Sequence, residues 1–293
     1  MIITALIGYP TSHSVSPSLF SIYAREFDLE YSHLKIDVPV GKLGTAMKAV
    51  KALNINGLNV TLPHKMNVIK YLDFIDDVAV EVGAVNTIVN KNRRFYGYNT
   101  DSYGALTSIK NHISKLASKK VLVLGTGGAA RALVAGFLKH KSLVTVVYRN
   151  PESTRTKSIM KSFNKRVIFL VNNETNLIKA LSESEIVCNA TSCGMVPQLT
   201  KSPISYGILE KVSSISSFSN KLFFDTIFNP YQTRFLEEAK KLGADIQGGT
   251  EMMIYQGVKA FELWTGYKVS RKSTEKAKKV LRRCLYKPNE KQN

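Results

Sequence analysis

At 293 residues the chain is long enough for two domains with substantial cores, and 44% hydrophobic with 22% charged residues excludes fibrous and disordered classes. Apolar stretches such as Val121-Leu-Val-Leu124 and Leu143-Val-Thr-Val-Val147 fall far short of the roughly 20 residues that span a bilayer, and residues 1–8 lack the pattern of a signal peptide, so a cytoplasmic protein without a membrane partner is expected. The formal charge of +19 favours anionic partners, but Lys and Arg are scattered and densest after Arg271, without base-reading patterns, which argues against nucleic acid.

Runs of strand length alternate with periodic segments of helix length, which predicts an α/β protein with largely parallel sheets. Ile2 to Ile7 reads as a strand, and Pro17 to Phe27 as a helix capped by Ser16 with Pro at its first position. Tyr31 to Val38 and Gly57 to Val60 read as further strands around a helix near Lys42 to Ala52. Val85 to Val89 and Arg93 to Tyr98 suggest a hairpin turning at Asn90-Lys-Asn92. Asp101 opens a helix. A second strand series runs through Lys119 to Leu124, Val144 to Tyr148, Val167 to Leu170, Ile186 to Asn189 and Leu222 to Thr226. The change of pattern predicts a boundary near residue 102. Helices at Glu251 to Thr265 and Ser273 to Leu285 then return to the first domain, giving 1–101 plus 249–293 and 102–248.

Strand Val121 to Leu124 runs into Gly125-Thr-Gly-Gly-Ala-Ala-Arg-Ala132, a glycine-rich turn feeding a helix N-terminus. Free N–H groups, the helix dipole and the missing Cβ atoms suit a pyrophosphate there, although such a turn can also be purely structural. The next strand ends at Tyr148-Arg-Asn150, where an NAD site usually carries an acid. Arg149 offers a cation instead, with Arg155 nearby, which favours a 2′-phosphate and hence NADP; the alternative is that both are solvated surface charges. Asn189-Ala-Thr-Ser-Cys-Gly-Met195 follows a buried-looking strand and is assigned to the nicotinamide side.

Reducing a ketone by hydride leaves an alkoxide, so such a site needs a proton donor and groups for the substrate's polar substituents. Lys65 follows the turn Thr61-Leu-Pro-His64, and Asp101 lies at another strand end. A Lys/Asp pair is more often a surface ion pair, but the polar neighbours Asn59, Thr61, Asn86 and Thr100 point to function. In Ser12-His-Ser-Val-Ser-Pro17, the hydroxyls of Ser14 and Ser16 suit a carboxylate. His13 and His64 lack a carboxylate at recognisable spacing and read as structural. Cys188, Cys193 and Cys284 show neither disulfide nor zinc spacing, and no metal site is expected.

In this order, Asn59-Val-Thr-Leu-Pro-His-Lys65, Tyr98-Asn-Thr-Asp101 and the glycine loop resemble the shikimate dehydrogenase family, a likeness that runs from Ile7-Gly-Tyr-Pro10 to Leu263-Trp-Thr-Gly266. The resemblance implies an α/β substrate domain and a Rossmann-like doubly wound NADP domain with a cleft between them. It implies NADPH-dependent interconversion of 3-dehydroshikimate and shikimate, in the shikimate pathway to chorismate and the aromatic amino acids. By motif, Ser14 and Ser16 would hold the carboxylate, and Thr61, Lys65, Asn86, Asp101 and Gln256 the hydroxyls, with Lys65 and Asp101 the catalytic pair. The cofactor positions would be Gly125, Thr126, Gly127, Gly128, Ala129, Arg149, Asn189, Thr191, Met195, Gly249 and Met252.

This sequence departs from the family pattern at Phe20-Ser21, where His-Asn is common, at Tyr148 and Asn150 around the arginine, at Phe228, where Tyr is usual, and at Glu251, where Gly is common. The rival readings are a relative that also takes quinate or uses NAD, and a silent regulatory or nucleic-acid-binding protein motivated by the basic tail Arg271 to Lys291. A monomer and a homodimer are both open.

Overall fold

The computed structural model describes residues 1–285, so Lys287, Glu290 and Lys291 of the basic tail lie outside the described residues. The described chain divides into two compact units, Met1–Gly104 with Ile254–Leu281, and Ala105–Met253 with residues 282–285.

The first unit is built on six strands, β1 (Ile2–Gly8), β2 (Tyr31–Asp37), β3 (Gly57–Val60), β4 (Phe74–Ile75), β5 (Thr87–Lys91) and β6 (Arg94–Tyr98), in the order β2-β1-β3-β5-β6-β4. The first three are mutually parallel; β5 reverses against β3 and β6, and the two-residue β4, too short for a sequence pattern, adds beside β6. Helices α1 (Ser16–Glu26), α2 (Leu43–Ala52) and α3 (Asp77–Val82) follow their strands, and α4 starts the passage to the second unit (Asp101–Lys110).

Two local expectations need correction. Ser16 is the first residue of α1 rather than its cap, and Val15 holds the cap position without a side-chain bond. The reason is that the Ser14 hydroxyl accepts the Ser16 N–H at 3.2 Å and so takes over the role of satisfying a free donor. The hairpin turns at Asn92-Arg93, with φ of 52° and 62°, rather than over Asn90-Lys-Asn92. Left-handed conformation at both central residues matches the right-handed twist of the flanking strands, and Lys91 pairs with Arg94 across the turn.

The second unit carries a wholly parallel sheet of β7 (Lys120–Leu124), β8 (Leu143–Tyr148), β9 (Val167–Val171), β10 (Ile186–Asn189), β11 (Leu222–Asp225) and β12 (Asp245–Gln247), ordered β12-β11-β10-β7-β8-β9. Its crossover helices are α5 (Gly128–Lys139), α6 (Thr154–Phe163), α7 (Glu174–Glu183), α8 (Tyr206–Ile215) and α9 (Arg234–Lys241). The central strands β7, β10 and β11 are buried throughout or nearly so, which is why they read as continuous apolar runs. The chain winds away in opposite directions from β7, so the carboxyl ends of β7 and β10 flank the switch point where doubly wound sheets bind ligands.

Helix α10 (Gly249–Thr265) enters the first unit at Ile254, and α11 (Arg271–Leu285) belongs to that unit through Leu281. There Phe261 and Trp264 of α10 meet Tyr23 and Phe20 of α1, with ring centroids 5.7 and 5.0 Å apart. The Trp264 indole N–H donates to the Ile88 carbonyl at 2.9 Å, and the ring occupies the space that a Cβ on Gly57 would need. Gly257 likewise admits Leu19, so α10 packs closely on α1 and carries Gln256 with it.

Phe20, fully buried, also lies 4.5 Å from the His33 ring. His33 Nδ1 bonds the Thr4 hydroxyl at 2.7 Å, its Nε2 is buried without a partner, and burial lowers its pKa to about 3. Above its unfolded pKa of about 6.5 the ring is neutral in both states. As pH falls below that value only the unfolded chain takes the proton, so this site removes up to about 1.4 kcal/mol of stability per pH unit down to about pH 3. Denaturant unfolding of wild type and His33→Leu at about pH 7 and about pH 4 should therefore show the stability gap between them closing or reversing on acidification. A constant gap contradicts this assignment.

Candidate active site

Four side chains from separate segments of the first unit converge. The turn after β3 carries Lys65, anchored through its carbonyl to the Val85 N–H at 2.8 Å. The preceding His64 is buried, and its Nε2 lies 2.6 Å from the Val38 carbonyl, so it secures the turn. Lys65 Nζ donates to Asp101 Oδ2 at 2.6 Å; the two side chains are 20% and 8% exposed. This pair is shielded, unlike an exposed ion pair of long side chains in water. Asp101 starts α4, where a negative charge sits favourably on the helix dipole.

Asn86, just before β5, donates through Nδ2 to Asp101 Oδ1 at 2.8 Å. Its own amide is fixed by the Thr100 N–H, 2.7 Å from Oδ1, and by the Thr87 hydroxyl at 3.2 Å. Gln256 Oε1 accepts from the Thr100 hydroxyl at 3.3 Å and lies 3.5 Å from Asn86 Nδ2. Lys65, Asp101, Asn86 and Gln256 therefore form one network, with an ammonium at its accessible end. Asn59 supports it from below through the Thr87 hydroxyl and the Asn86 carbonyl, both at 3.4 Å. Such an array can hold hydroxyl groups and exchange a proton with one of them.

Ser14 and Ser16 form a second group, bonded to each other: the Ser14 hydroxyl donates to Ser16 Oγ at 3.0 Å. Thr61, bonded through its N–H to the Ile7 carbonyl at 2.9 Å, packs its methyl group where a Cβ on Gly8 would stand. The serine loop is tied down by Asp37 at the end of β2, whose Oδ1 accepts the Thr11 N–H at 2.7 Å and the Thr11 hydroxyl at 2.6 Å. Thr11 in turn accepts the Ser14 N–H at 3.0 Å, and Lys35 Nζ holds the Ser12 carbonyl at 2.7 Å. The Thr11 bonds, with Lys35 behind them, lower the pKa of Asp37.

In the second unit Gly125 has φ of 113°, and a Cβ there would press within 3.0 Å of the Ala190 carbonyl and the Thr191 methyl group. The glycine thus lets the loops after β7 and β10 touch. Gly127 caps α5 and faces open space, and Gly128 and Ala129 begin the helix. The first-turn N–H groups of a helix have no partner within it, so this end fits a pyrophosphate. Thr126 reaches across to the Thr156 hydroxyl at 3.4 Å. Arg149 is exposed after β8, whereas Tyr148 is buried and Asn150 Oδ1 accepts the Glu152 N–H at 2.9 Å. The departures around the arginine thus serve the core and the turn, and Arg149 stands exposed between them.

Asn189 is fully buried, and its amide is committed within the protein. Oδ1 accepts the Thr191 N–H and hydroxyl at 3.0 and 2.7 Å, while Nδ2 lies 3.1 Å from both the Cys193 carbonyl and Asp225 Oδ2. It shapes the loop; Thr191 and the 40% exposed Met195 are what the loop presents. The Gly249 N–H bonds the Ile227 carbonyl at 3.0 Å in a contact too close for any Cβ, and Met252 is buried. Asp37, Thr11, Thr87, Asp225 and Thr233 were not singled out from the sequence. The available signal was a polar residue ending an apolar strand, as in Leu222-Phe-Phe-Asp225. Among the described residues, no cluster of His, Cys, Asp or Glu could hold a metal, and no helix is long and apolar enough to cross a membrane.

Residues 6–88 match the shikimate dehydrogenase substrate binding domain, and residues 249–277 match the shikimate 5′-dehydrogenase C-terminal domain. A shikimate dehydrogenase (NADP(+)) of Dehalococcoides mccartyi is 38% identical over 265 residues, 90% of each chain. A crystal structure of shikimate dehydrogenase in complex with NADP+ is similar with a TM-score of 0.85 and 32% identity, over 98% of this chain and 96% of that one. The Thermus thermophilus shikimate 5-dehydrogenase in complex with NADP(H) and shikimate gives 0.82 and 31%, over 96% and 100%.

The tether at Asp37 can be tested directly. Asp37→Ala should speed hydrogen exchange at the Thr11 and Ser14 amides by about tenfold or more while moving the melting temperature by less than about 2 °C. Unchanged exchange at these amides contradicts the tether.

Proposed function

We propose, for a chain that belongs to the shikimate dehydrogenase family, that it is the NADP-dependent oxidoreductase interconverting 3-dehydroshikimate and shikimate, with Lys65 and Asp101 as its catalytic pair. The observation that carries the reading is the shielded 2.6 Å contact between Lys65 Nζ and Asp101. The first unit is the substrate domain and the second the dinucleotide domain, and the reaction belongs to the pathway toward chorismate and the aromatic amino acids. The enzyme is cytoplasmic on this reading, with small-molecule partners and no role for nucleic acid.

Shikimate offers one carboxylate and three hydroxyls. The paired hydroxyls of Ser14 and Ser16 are suited to the carboxylate, and Thr61, Asn86 and Gln256 to the hydroxyls. Bound NADPH supplies the hydride for ketone reduction, and NADP accepts it in alcohol oxidation. The open end of α5 at Gly127, with Thr126 and Ala129 beside it, fits the pyrophosphate, and the exposed Arg149 fits the 2′-phosphate. Thr191, Met195, Gly249 and Met252 belong to the nicotinamide side.

In reduction the Lys65 ammonium donates its proton to the C3 oxygen as charge develops there. Asp101 aligns the ammonium and bears the opposite charge, and Asn86 keeps the carboxylate from rotating. In oxidation the neutral Lys65 amine takes the hydroxyl proton back.

Lys65→Ala should lower kcat by roughly 10²–10⁴-fold, the range of a lost acid or base, with the KM for shikimate changing far less. Steady-state rates with shikimate and NADP check this; a kcat near wild type contradicts the role. Arg149→Ala should lower kcat/KM for NADP by roughly 10–100-fold, as expected when a charge-assisted contact is lost, and leave that for NAD nearly unchanged. Equal losses with both dinucleotides contradict phosphate recognition by Arg149.

A further inference from the structure

We propose that Asp225 is a positioning residue for the dinucleotide: its buried carboxylate locks together the loops that follow β10 and β11, and so fixes the groups that the second unit presents to the nicotinamide end. The inference rests on the reading of this unit as the dinucleotide domain.

Asp225 ends β11, directly beside Asn189 at the end of β10 in the parallel register, and is fully buried. Its Oδ1 accepts the Ile227 N–H at 2.9 Å. Its Oδ2 accepts the Thr233 hydroxyl at 2.7 Å and the Asn189 amide at 3.1 Å. The bonds run outward from there. Asn189 holds the backbone and side chain of Thr191, Thr191 Oγ1 accepts the Cys193 N–H at 3.1 Å, and the Ile227 carbonyl accepts the Gly249 N–H. Two segments that bear proposed cofactor groups, the loop after β10 and the start of α10, are thereby registered by one acid through the loop after β11.

Two features separate this arrangement from ordinary core packing. Thr233 occupies the cap position of α9, yet its hydroxyl makes no capping bond and goes to Asp225 instead. A capping bond is thus forgone, and the carboxylate contact takes precedence over the helix. The loop after β10 also leans on Thr233: Gly194 has φ of 99°, and a Cβ there would lie 3.4 Å from Thr233 Cβ.

Chemistry requires an acid at this position. All three partners are donors, and an ionised carboxylate accepts at both oxygens, whereas an amide of equal size turns one acceptor into a donor facing a donor. Burial without a cation opposes the charge, and Asp225 is pushed up to about 6 even though all three bonds favour ionisation. The acid thus stands at the root of the loops, where a neutral residue would be easier to accommodate.

The test measures NADPH affinity by fluorescence titration, and shikimate KM and kcat by steady-state assay, in wild type, Asp225→Asn and Thr233→Val. Wild type should bind NADPH. If it does not, the dinucleotide reading of the unit fails, and this inference with it. With wild-type binding in hand, Asp225→Asn should raise the NADPH Kd about tenfold, the effect of a mispaired buried hydrogen bond, and leave the shikimate KM within about twofold. Thr233→Val, which replaces the hydroxyl with a methyl group of similar size, should raise the Kd at least about threefold, and it decides the matter if Asp225→Asn fails to fold. Unchanged NADPH affinity overturns the proposal, as does a uniform loss of both affinities that tracks thermal stability.

Discussion

The contact between Lys65 Nζ and Asp101 Oδ2 is the constraint around which the first unit is arranged. An ammonium and a carboxylate held 2.6 Å apart, with side chains 20% and 8% exposed, lose much of their hydration. Such a pair persists only if the remaining lone pairs are satisfied and both ends are held in place. The structure meets both conditions. Asn86 occupies the second oxygen of Asp101, Thr87 and Thr100 orient Asn86, and His64 secures the turn that carries Lys65. Elements distant in sequence are recruited to the same end: Gly257 brings α10 against Leu19, so that Gln256 reaches Asn86 and Thr100.

The two units use carboxylates at strand ends in different ways. Asp101 faces a cation, the Lys65 ammonium. Asp37 and Asp225 instead take bonds from neutral donors and organise loops: Asp37 lies in a solvated place where those bonds lower its pKa, and Asp225 in a buried one where desolvation prevails. Exposed Arg149 and the free first turn of α5 supply positive potential, while the acids shape the surfaces around them.

Features determined by neighbours in the chain were readable from the sequence. The parallel strands of the second unit appear as apolar runs because they are buried on both faces, and Gly125 to Gly128 mark a turn because no other residue combines the positive φ of Gly125 with the space left at Gly127. The clustering of Lys65, Asn86 and Asp101 was legible because three adjacent elements of one sheet carry them. Competition between short-range alternatives was not. Ser14 displaces Ser16 from capping, and a pair of left-handed residues places the hairpin turn at Asn92-Arg93 rather than over Asn90-Lys-Asn92. Long-range partners were the least legible. Asp37 bonds Thr11 26 residues away, and Asp225 bonds Asn189 36 residues away, so neither role has a local signature. The same distance hid the role of Asn189 in shaping its own loop.

The central claim is that one chain joins proton transfer at Lys65 to hydride transfer between C3 of the substrate and a dinucleotide. It is tested most directly with shikimate deuterated at C3, incubated with the purified protein and NADP and followed by absorbance and mass spectrometry. The account predicts that 3-dehydroshikimate and reduced dinucleotide appear in equal amounts, that the dinucleotide carries the deuterium, and that the label slows the reaction when hydride transfer limits the rate. Failure to reduce NADP with shikimate, or reduction that leaves the deuterium on the product, would contradict it.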